Sequence, residues 1–161
     1  MKLIINGAAG RMGQALTKMI ASSTDFTVAG AVDAVCPGEG MVASLSQIKE
    51  KADCIIDFSH HTATKDLTDY AVANGTAVVI CTTGHTDEEL SYIAGAAKHI
   101  PVFHSGNMSV GIALLMELAK QTAKMFPDAD IEIVETHHNQ KLDAPSGTAL
   151  MLAKAIGTVR E

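Results

Sequence analysis

Residues 135–148 read Glu-Thr-His-His-Asn-Gln-Lys-Leu-Asp-Ala-Pro-Ser-Gly-Thr. Two adjacent imidazoles, a lysine and a Pro-Ser-Gly-Thr run therefore fall close together. His137 and Lys141 are residue types able to donate a proton or hold an anion near neutral pH. Ser146 is a good N-cap, and residues 149–156 after it are helical in composition. A helix starting there leaves the backbone N–H groups of Gly147 and Thr148 available as a seat for a carboxylate or phosphate. Taken singly, each feature is an ordinary strand end or capping turn. Together they couple a proton donor to an anion seat, which is the composition of an active site.

A second chemical stretch lies at the start of the chain. Leu3-Ile4-Ile5 is a short apolar run that stops at Gly7-Ala-Ala-Gly10-Arg-Met-Gly13, after which Ala15, Leu16, Met19 and Ile20 recur at helical spacing. Strand, glycine turn and helix form the context of a dinucleotide fingerprint, here spaced G-x-x-G-x-x-G. Gly7 is expected to make the tight turn, Gly10 to let the backbone approach a pyrophosphate, and Gly13 to let the helix pack closely on the sheet. A second apolar run, 26–32, ends in Asp33, where an acid commonly takes the adenosine ribose hydroxyls. The residues that follow are Ala34, Val35 and Cys36, with none of the cations that usually meet a 2′-phosphate. This points to NADH. Arg11 in the turn leaves use of NADPH open.

The elements that must position these groups alternate along the chain. Strands are expected at 54–58, 76–80 and 101–103, and helices at 62–73 and after a Thr86 cap. This rhythm predicts an α/β fold, a Rossmann-like parallel sheet with helices on both faces. Ligands of such sheets lie off the carboxyl ends of the strands. Those ends carry Ser59-His60-His61, Cys81-Thr82-Thr83-Gly84 and His104-Ser105-Gly106-Asn107. Thr82, Thr83 and Asn107 are candidates to touch a ribose, a nicotinamide or a substrate, whereas His60, His61 and His104 read as loop histidines facing water. A helix follows over 109–125, its stripe of Ile112, Leu115, Met116 and Ala119 read as core packing. Ile131, Ile133 and Val134 then predict a strand. Gly106-Asn107 is a plausible hinge, dividing a dinucleotide-binding domain over 1–106 from an incomplete α+β substrate and oligomerisation domain over 107–161. Two helices and one strand are too little to bury a core of their own.

Composition narrows the classes. The chain has 161 residues, 47% of them hydrophobic and only 4% aromatic, so its core falls to aliphatic side chains. A net charge of −6 with no basic cluster argues against nucleic-acid or anionic-membrane partners. Cys36, Cys54 and Cys81 have no C-x-x-C spacing, so neither a disulfide framework nor a zinc site is indicated. Adjacent His137 and His138 on a strand would point to opposite faces, which argues against a metal there. With no signal-peptide-like apolar segment, a reducing cytoplasm fits best.

Gly7-Ala-Ala-Gly-Arg-Met-Gly13, Asp57-Phe-Ser59, Thr82-Thr-Gly84, Asn107-Met-Ser-Val-Gly111 and the run from Glu135 to Ala149 together resemble the 4-hydroxy-tetrahydrodipicolinate reductase family. This family, also called dihydrodipicolinate reductase, is the NAD(P)H enzyme of the diaminopimelate route to lysine. The resemblance implies that Gly7, Ala8, Gly10, Arg11, Met12, Gly13 and Asp33 hold the dinucleotide. Ser59, Cys81, Thr82, Thr83, Gly84, Asn107 and Met108 complete the cofactor set. It makes His137 the proton donor with Lys141 as its partner. Thr83, His138, Lys141, Ser146, Gly147 and Thr148 would grip a cyclic dicarboxylate substrate. It also implies a homotetramer for the full-length protein and a polypeptide continuing past Glu161. Cys81 and His85 depart from the family's usual glycine and apolar residue. Two rivals share the scaffold: another dehydrogenase, and a non-catalytic NAD(P)-sensing module. A semialdehyde dehydrogenase would need a nucleophilic cysteine in the second unit, and none follows Cys81.

Overall fold

Leu3, Ile4 and Ile5 sit in β1 (Lys2–Asn6), the strand on which the first part of the molecule is built. The structure, a computed structural model, describes residues 1–139, 141 and 144–160. Gln140, Leu142 and Asp143 of the His-His-Lys stretch, and Glu161, lie outside the described residues. The chain divides into two compact units, Met1–Ser105 and Gly106–Glu161.

In the first unit β1 leads through α1 (Arg11–Ala21) to β2 (Thr27–Val32), then to β3 (Cys54–Asp57), α2 (Thr64–Asn74), β4 (Ala77–Ile80), α3 (Asp87–Ala96) and β5 (Val102–His104). The sheet order is β2-β1-β3-β4-β5, and every pairing is parallel. Because strand side chains alternate, each strand feeds both faces. Leu3, Ile5 and Cys54 pack with Leu16 and Ile20 of α1. Ile4, Ile55, Val78 and Ile80 pack with Leu67 and Ala71 of α2 and Ile93 and Ala96 of α3. Ile4, Ile5, Ile55 and Ile80 are at most 1% exposed. Burial of side chains of this size stabilises by about 1.5–3 kcal/mol each. This is the Rossmann-like arrangement, with helices on both faces. The link from β2 to β3 is short and contains a single 3-10 turn, Leu45–Gln47, capped by Ser44. Val42 lies along β2 instead, its N–H donating to the Ala31 carbonyl at 2.9 Å.

The second unit holds α4 (Val110–Met125), capped by Ser109, and α5 (Gly147–Gly157), capped by Ser146. The strand expected at 131–134 does not form. A strand needs a ladder partner, and the described residues of this unit offer none, so Ile131, Ile133 and Val134 stay 40% or more exposed. The α4 stripe is likewise only partly covered, Leu115 being 47% exposed, and Ala123 and Ser146 are the buried residues among those described. Among the described residues no helix is long and apolar enough to cross a membrane.

Candidate active site

The glycine turn forms because β1 must reverse into α1 within four residues, Gly7 to Gly10. Gly7 adopts φ +79°, and a Cβ there would lie 2.5 Å from the Phe58 carbonyl oxygen. A Cβ on Gly13 would lie 2.3 Å from the Gly7 oxygen, so this glycine lets α1 pack on the turn itself rather than on the sheet. The N–H groups of Gly7 and Ala8 both donate to the Val32 carbonyl at 2.9 Å, which locks the turn to the end of β2. Ala8 is fully buried, while Gly10, Arg11 and Met12 are exposed at the head of the helix.

Asp33 completes this corner. Its carboxylate accepts the N–H groups of Ala9 at 3.1 Å, Val35 at 3.1 Å and Cys36 at 2.9 Å. The Cys36 N–H foremost, then those of Val35 and Ala9, hold the carboxyl below its ordinary range against the opposing effect of burial. An ionised acid thus closes a cleft of about 460 Å³ lined by Gly7, Gly10, Asp33, Cys36, Ser59 and His60.

The ends of β3 and β4 meet at a residue to which the motif gave no role. Asp57 is 2% exposed, and its carboxylate accepts Asn6 Nδ2 at 2.8 Å, Ser59 Oγ at 2.6 Å and Thr82 Oγ1 at 2.6 Å. The Thr82 hydroxyl is therefore turned inward, at 8% exposure, while Thr83 and Gly84 are exposed beside it. Burial, and then Asp57, push the Cys81 thiol up to about 11. The nearby histidines are not all loop residues facing water. His61 Nδ1 lies 2.9 Å from both oxygens of Glu89, an acid that also accepts the Thr86 N–H as part of the α3 cap. His104 ends β5 and meets the His85 ring edge-on, with centroids 4.9 Å apart. His60 stays exposed on a loop, its ring nitrogen 3.0 Å from Thr62 Oγ1, and His104 is exposed as well, though at a strand end.

In the second unit Glu135 is the organiser. Its carboxylate accepts the Ser146 N–H at 2.7 Å and the Ser146 hydroxyl. Its Oε2 lies 3.7 Å from His137 Nδ1. The Ser146 bonds, hydroxyl first, hold Glu135 below the ordinary range, with His137 and Lys141 adding to the effect. The Ser146 oxygen in turn accepts the Ala149 N–H at 3.1 Å and caps α5. Asn107 Nδ2 donates to Thr148 Oγ1 at 2.9 Å, and Asn107 Oδ1 accepts the Ser109 N–H at 2.9 Å. The Lys141 N–H donates to the His138 carbonyl at 3.2 Å. His137, Ser146 and Glu135 are thus brought together, as are Asn107 and Thr148, and Met108 is 49% exposed beside them in sequence. Asn6, Asp57, Glu89 and Glu135 are partners that motif reading passed over. In hindsight, a carboxylate closing an apolar strand was the available signal for Asp57.

A parallel sheet with a glycine turn after its first strand and an acid after its second defines a protein of the Rossmann-like fold class. The chain belongs to the dihydrodipicolinate reductase family. The pattern described as "Dihydrodipicolinate reductase, N-terminus" matches residues 1–108, and that described as "Dihydrodipicolinate reductase, C-terminus" matches residues 111–161. A 4-hydroxy-tetrahydrodipicolinate reductase of Caldanaerobacter subterraneus subsp. tengcongensis is 48% identical over 98% of this chain and 64% of its own length. One from Caulobacter vibrioides is 44% identical over 96% of this chain and 61% of its own. The dipicolinate-bound dihydrodipicolinate reductase from Paenisporosarcina sp. TG-14 superposes with a TM-score of 0.76 at 29% identity, over 99% of this chain and 66% of that one. The chain thus spans less than two thirds of these relatives.

Proposed function

We propose that this polypeptide carries the dinucleotide-binding unit and part of the substrate unit of an NAD(P)H-dependent reductase. The substrate is 4-hydroxy-tetrahydrodipicolinate, which loses its 4-hydroxyl as water and gains one hydride and one proton to give tetrahydrodipicolinate, in lysine and diaminopimelate biosynthesis. The carrying observation is that one family chain pairs the Asp33-clamped glycine turn with the Glu135–Ser146–His137 cluster. A nicotinamide dinucleotide suits the first unit, because Gly7 and Gly13 let the turn close tightly on its own backbone and leave Gly10 exposed, without a side chain, at the head of α1. When bound, the reduced cofactor supplies a hydride.

The chain's own groups do the rest. Thr83 and Gly84, together with Ser59 and Cys81, would hold the nicotinamide end. In the second unit His137 presents Nδ1 to Glu135, so Nε2 is the nitrogen that delivers a proton as charge develops on the substrate ring, with Lys141 as its cationic partner. Ser146 has both its donors on Glu135 and serves as cap and anchor. One substrate carboxylate then falls to the N–H groups of Gly147 and Thr148 and to the Thr148 hydroxyl, whose oxygen already accepts from Asn107. His138 and Lys141 take the other. The reading carries a homotetrameric, cytoplasmic whole protein acting on small molecules.

For the cofactor we infer a preference for NADH. Asp33 is kept ionised, and Ala34, Val35 and Cys36 offer no cation, so a 2′-phosphate would meet a negative charge that no neighbouring cation offsets. Exposed Arg11 permits some use of NADPH. Calorimetric titration is expected to show NADH binding about tenfold tighter, a difference of about 1.4 kcal/mol, with the gap narrowing in Asp33→Ser. NADPH binding as tightly as NADH would refute the preference.

A further inference from the structure

Asp57 is expensive to bury and contributes nothing to the apolar core. Its strand, Cys54–Asp57, is otherwise cysteine and isoleucine, and an aliphatic residue at its end would avoid desolvating a carboxylate. What the acid does instead is tie three strand ends together. Asn6 closes β1 and is its register partner across the sheet, while Thr82 lies two residues past the end of β4. The Cys81 N–H donates to the Asp57 carbonyl at 2.9 Å, so backbone and side chain of this one residue both hold the segment after β4. Ser59 adds its hydroxyl at 2.6 Å and its N–H at 3.3 Å. The carboxylate therefore receives four donors from three segments that border the mouth of the sheet.

We propose that Asp57 is a positioning residue for the nicotinamide end of the cofactor. By committing the Thr82 hydroxyl inward, it leaves Thr83 and Gly84 as the exposed edge that the ring meets. Thr82 thus acts through its backbone, not its hydroxyl. The inference rests on the dinucleotide reading above. It also assigns the two halves of the cofactor different dependence on Asp57. The adenosine half leans on Gly7 and Asp33, which are held directly by Val32, Ala9, Val35 and Cys36, while Asp57 reaches that cleft only through its bonds to Asn6 and Ser59. The nicotinamide half leans on the segment that Asp57 anchors.

ADP-ribose, which lacks the nicotinamide, separates the two. In the unaltered chain NADH should bind more tightly than ADP-ribose. Asp57→Asn keeps the shape but replaces one acceptor oxygen with a donor. It should weaken NADH binding about tenfold while moving ADP-ribose binding less than twofold. Thr82→Val should reproduce the same split, Thr82→Ser, which keeps the hydroxyl, should bind NADH as the unaltered chain does, and the double variant should be no worse than Asp57→Asn alone, because the two groups share one bond. Should Asp57→Asn fail to fold by circular dichroism, Thr82→Val and Thr82→Ser decide the matter. Equal loss for both ligands, or no loss for NADH, would overturn the inference and leave the dinucleotide reading standing. Failure of the unaltered chain to bind either ligand would overturn both.

Discussion

At the scale of single residues, the site depends on which polar atoms are already committed. Asp33 accepts three backbone N–H groups and stays ionised beside the glycine turn. Ser146 has both donors on Glu135. His85 is the opposite case. Neither of its ring nitrogens is accessible or hydrogen-bonded among the described residues. Burial foremost, then the facing His104, hold its proton affinity below the ordinary value, with His61 adding to this and Glu89 and Asp57 opposing it. The unfolded chain therefore binds a proton at His85 that the folded chain refuses. Through this group stability rises with pH, and it is lost as pH falls below about 6.5 toward the lower folded value. His85→Phe should flatten that acid limb in a series of thermal melts from pH 7.5 to pH 5.5. An unchanged limb would show that His85 does not titrate in this way.

At the scale of elements, the strand–turn–helix corner is set by sterics and α3 by its cap. Gly7 combines φ +79° with a Cβ position 2.5 Å from backbone, so Gly7→Ala pays both a conformational and a contact penalty. A loss of about 2–4 kcal/mol is expected, together with loss of dinucleotide binding. Gly95, within α3, has nothing within 4 Å of its Cβ position, so Gly95→Ala should instead stabilise by about 0.5–1 kcal/mol. Denaturant melts of the two variants check the contrast, and similar shifts for both would contradict this account of the turn. Much of this scale was legible from local pattern. The glycine spacing, the Thr86 cap and the apolar runs of β1, β3 and β4 each carry their conformation in a few adjacent residues. What escaped depends on partners distant in sequence. Asp57 binds Asn6, and His61 binds Glu89, across intervals that periodicity does not see. The alternation at 131–134 promised a strand, but alternation specifies only a face, and pairing needs a second strand. Between residues 33 and 53 Val42 bridges to Val32 along β2, another pairing that local pattern does not show.

At the scale of the molecule, the two units differ in how far they are self-sufficient. Met1–Ser105 contains both buried clusters, while Gly106–Glu161 leaves most of the apolar side chains of α4 exposed, Leu114 at 60% and Leu118 at 49%. The His137–Glu135–Ser146 cluster nonetheless forms within the second unit, because its bonds are local to 135–149. The residue types of this cluster were readable in the sequence, but its hierarchy was not, since spacing cannot tell that Ser146 faces Glu135 rather than a ligand. The function proposed above requires a dinucleotide unit and a proton-donating dicarboxylate seat in one chain. The most direct test is the loss of reduced-nicotinamide absorbance on freshly generated 4-hydroxy-tetrahydrodipicolinate, followed beside His137→Ala. Substrate-dependent oxidation of NADH is expected, falling by about 10²–10⁴-fold in the variant while NADH binding is retained. Oxidation that persists unchanged in His137→Ala, or none in the unaltered chain despite saturable binding of NADH and substrate, would contradict the proposed function.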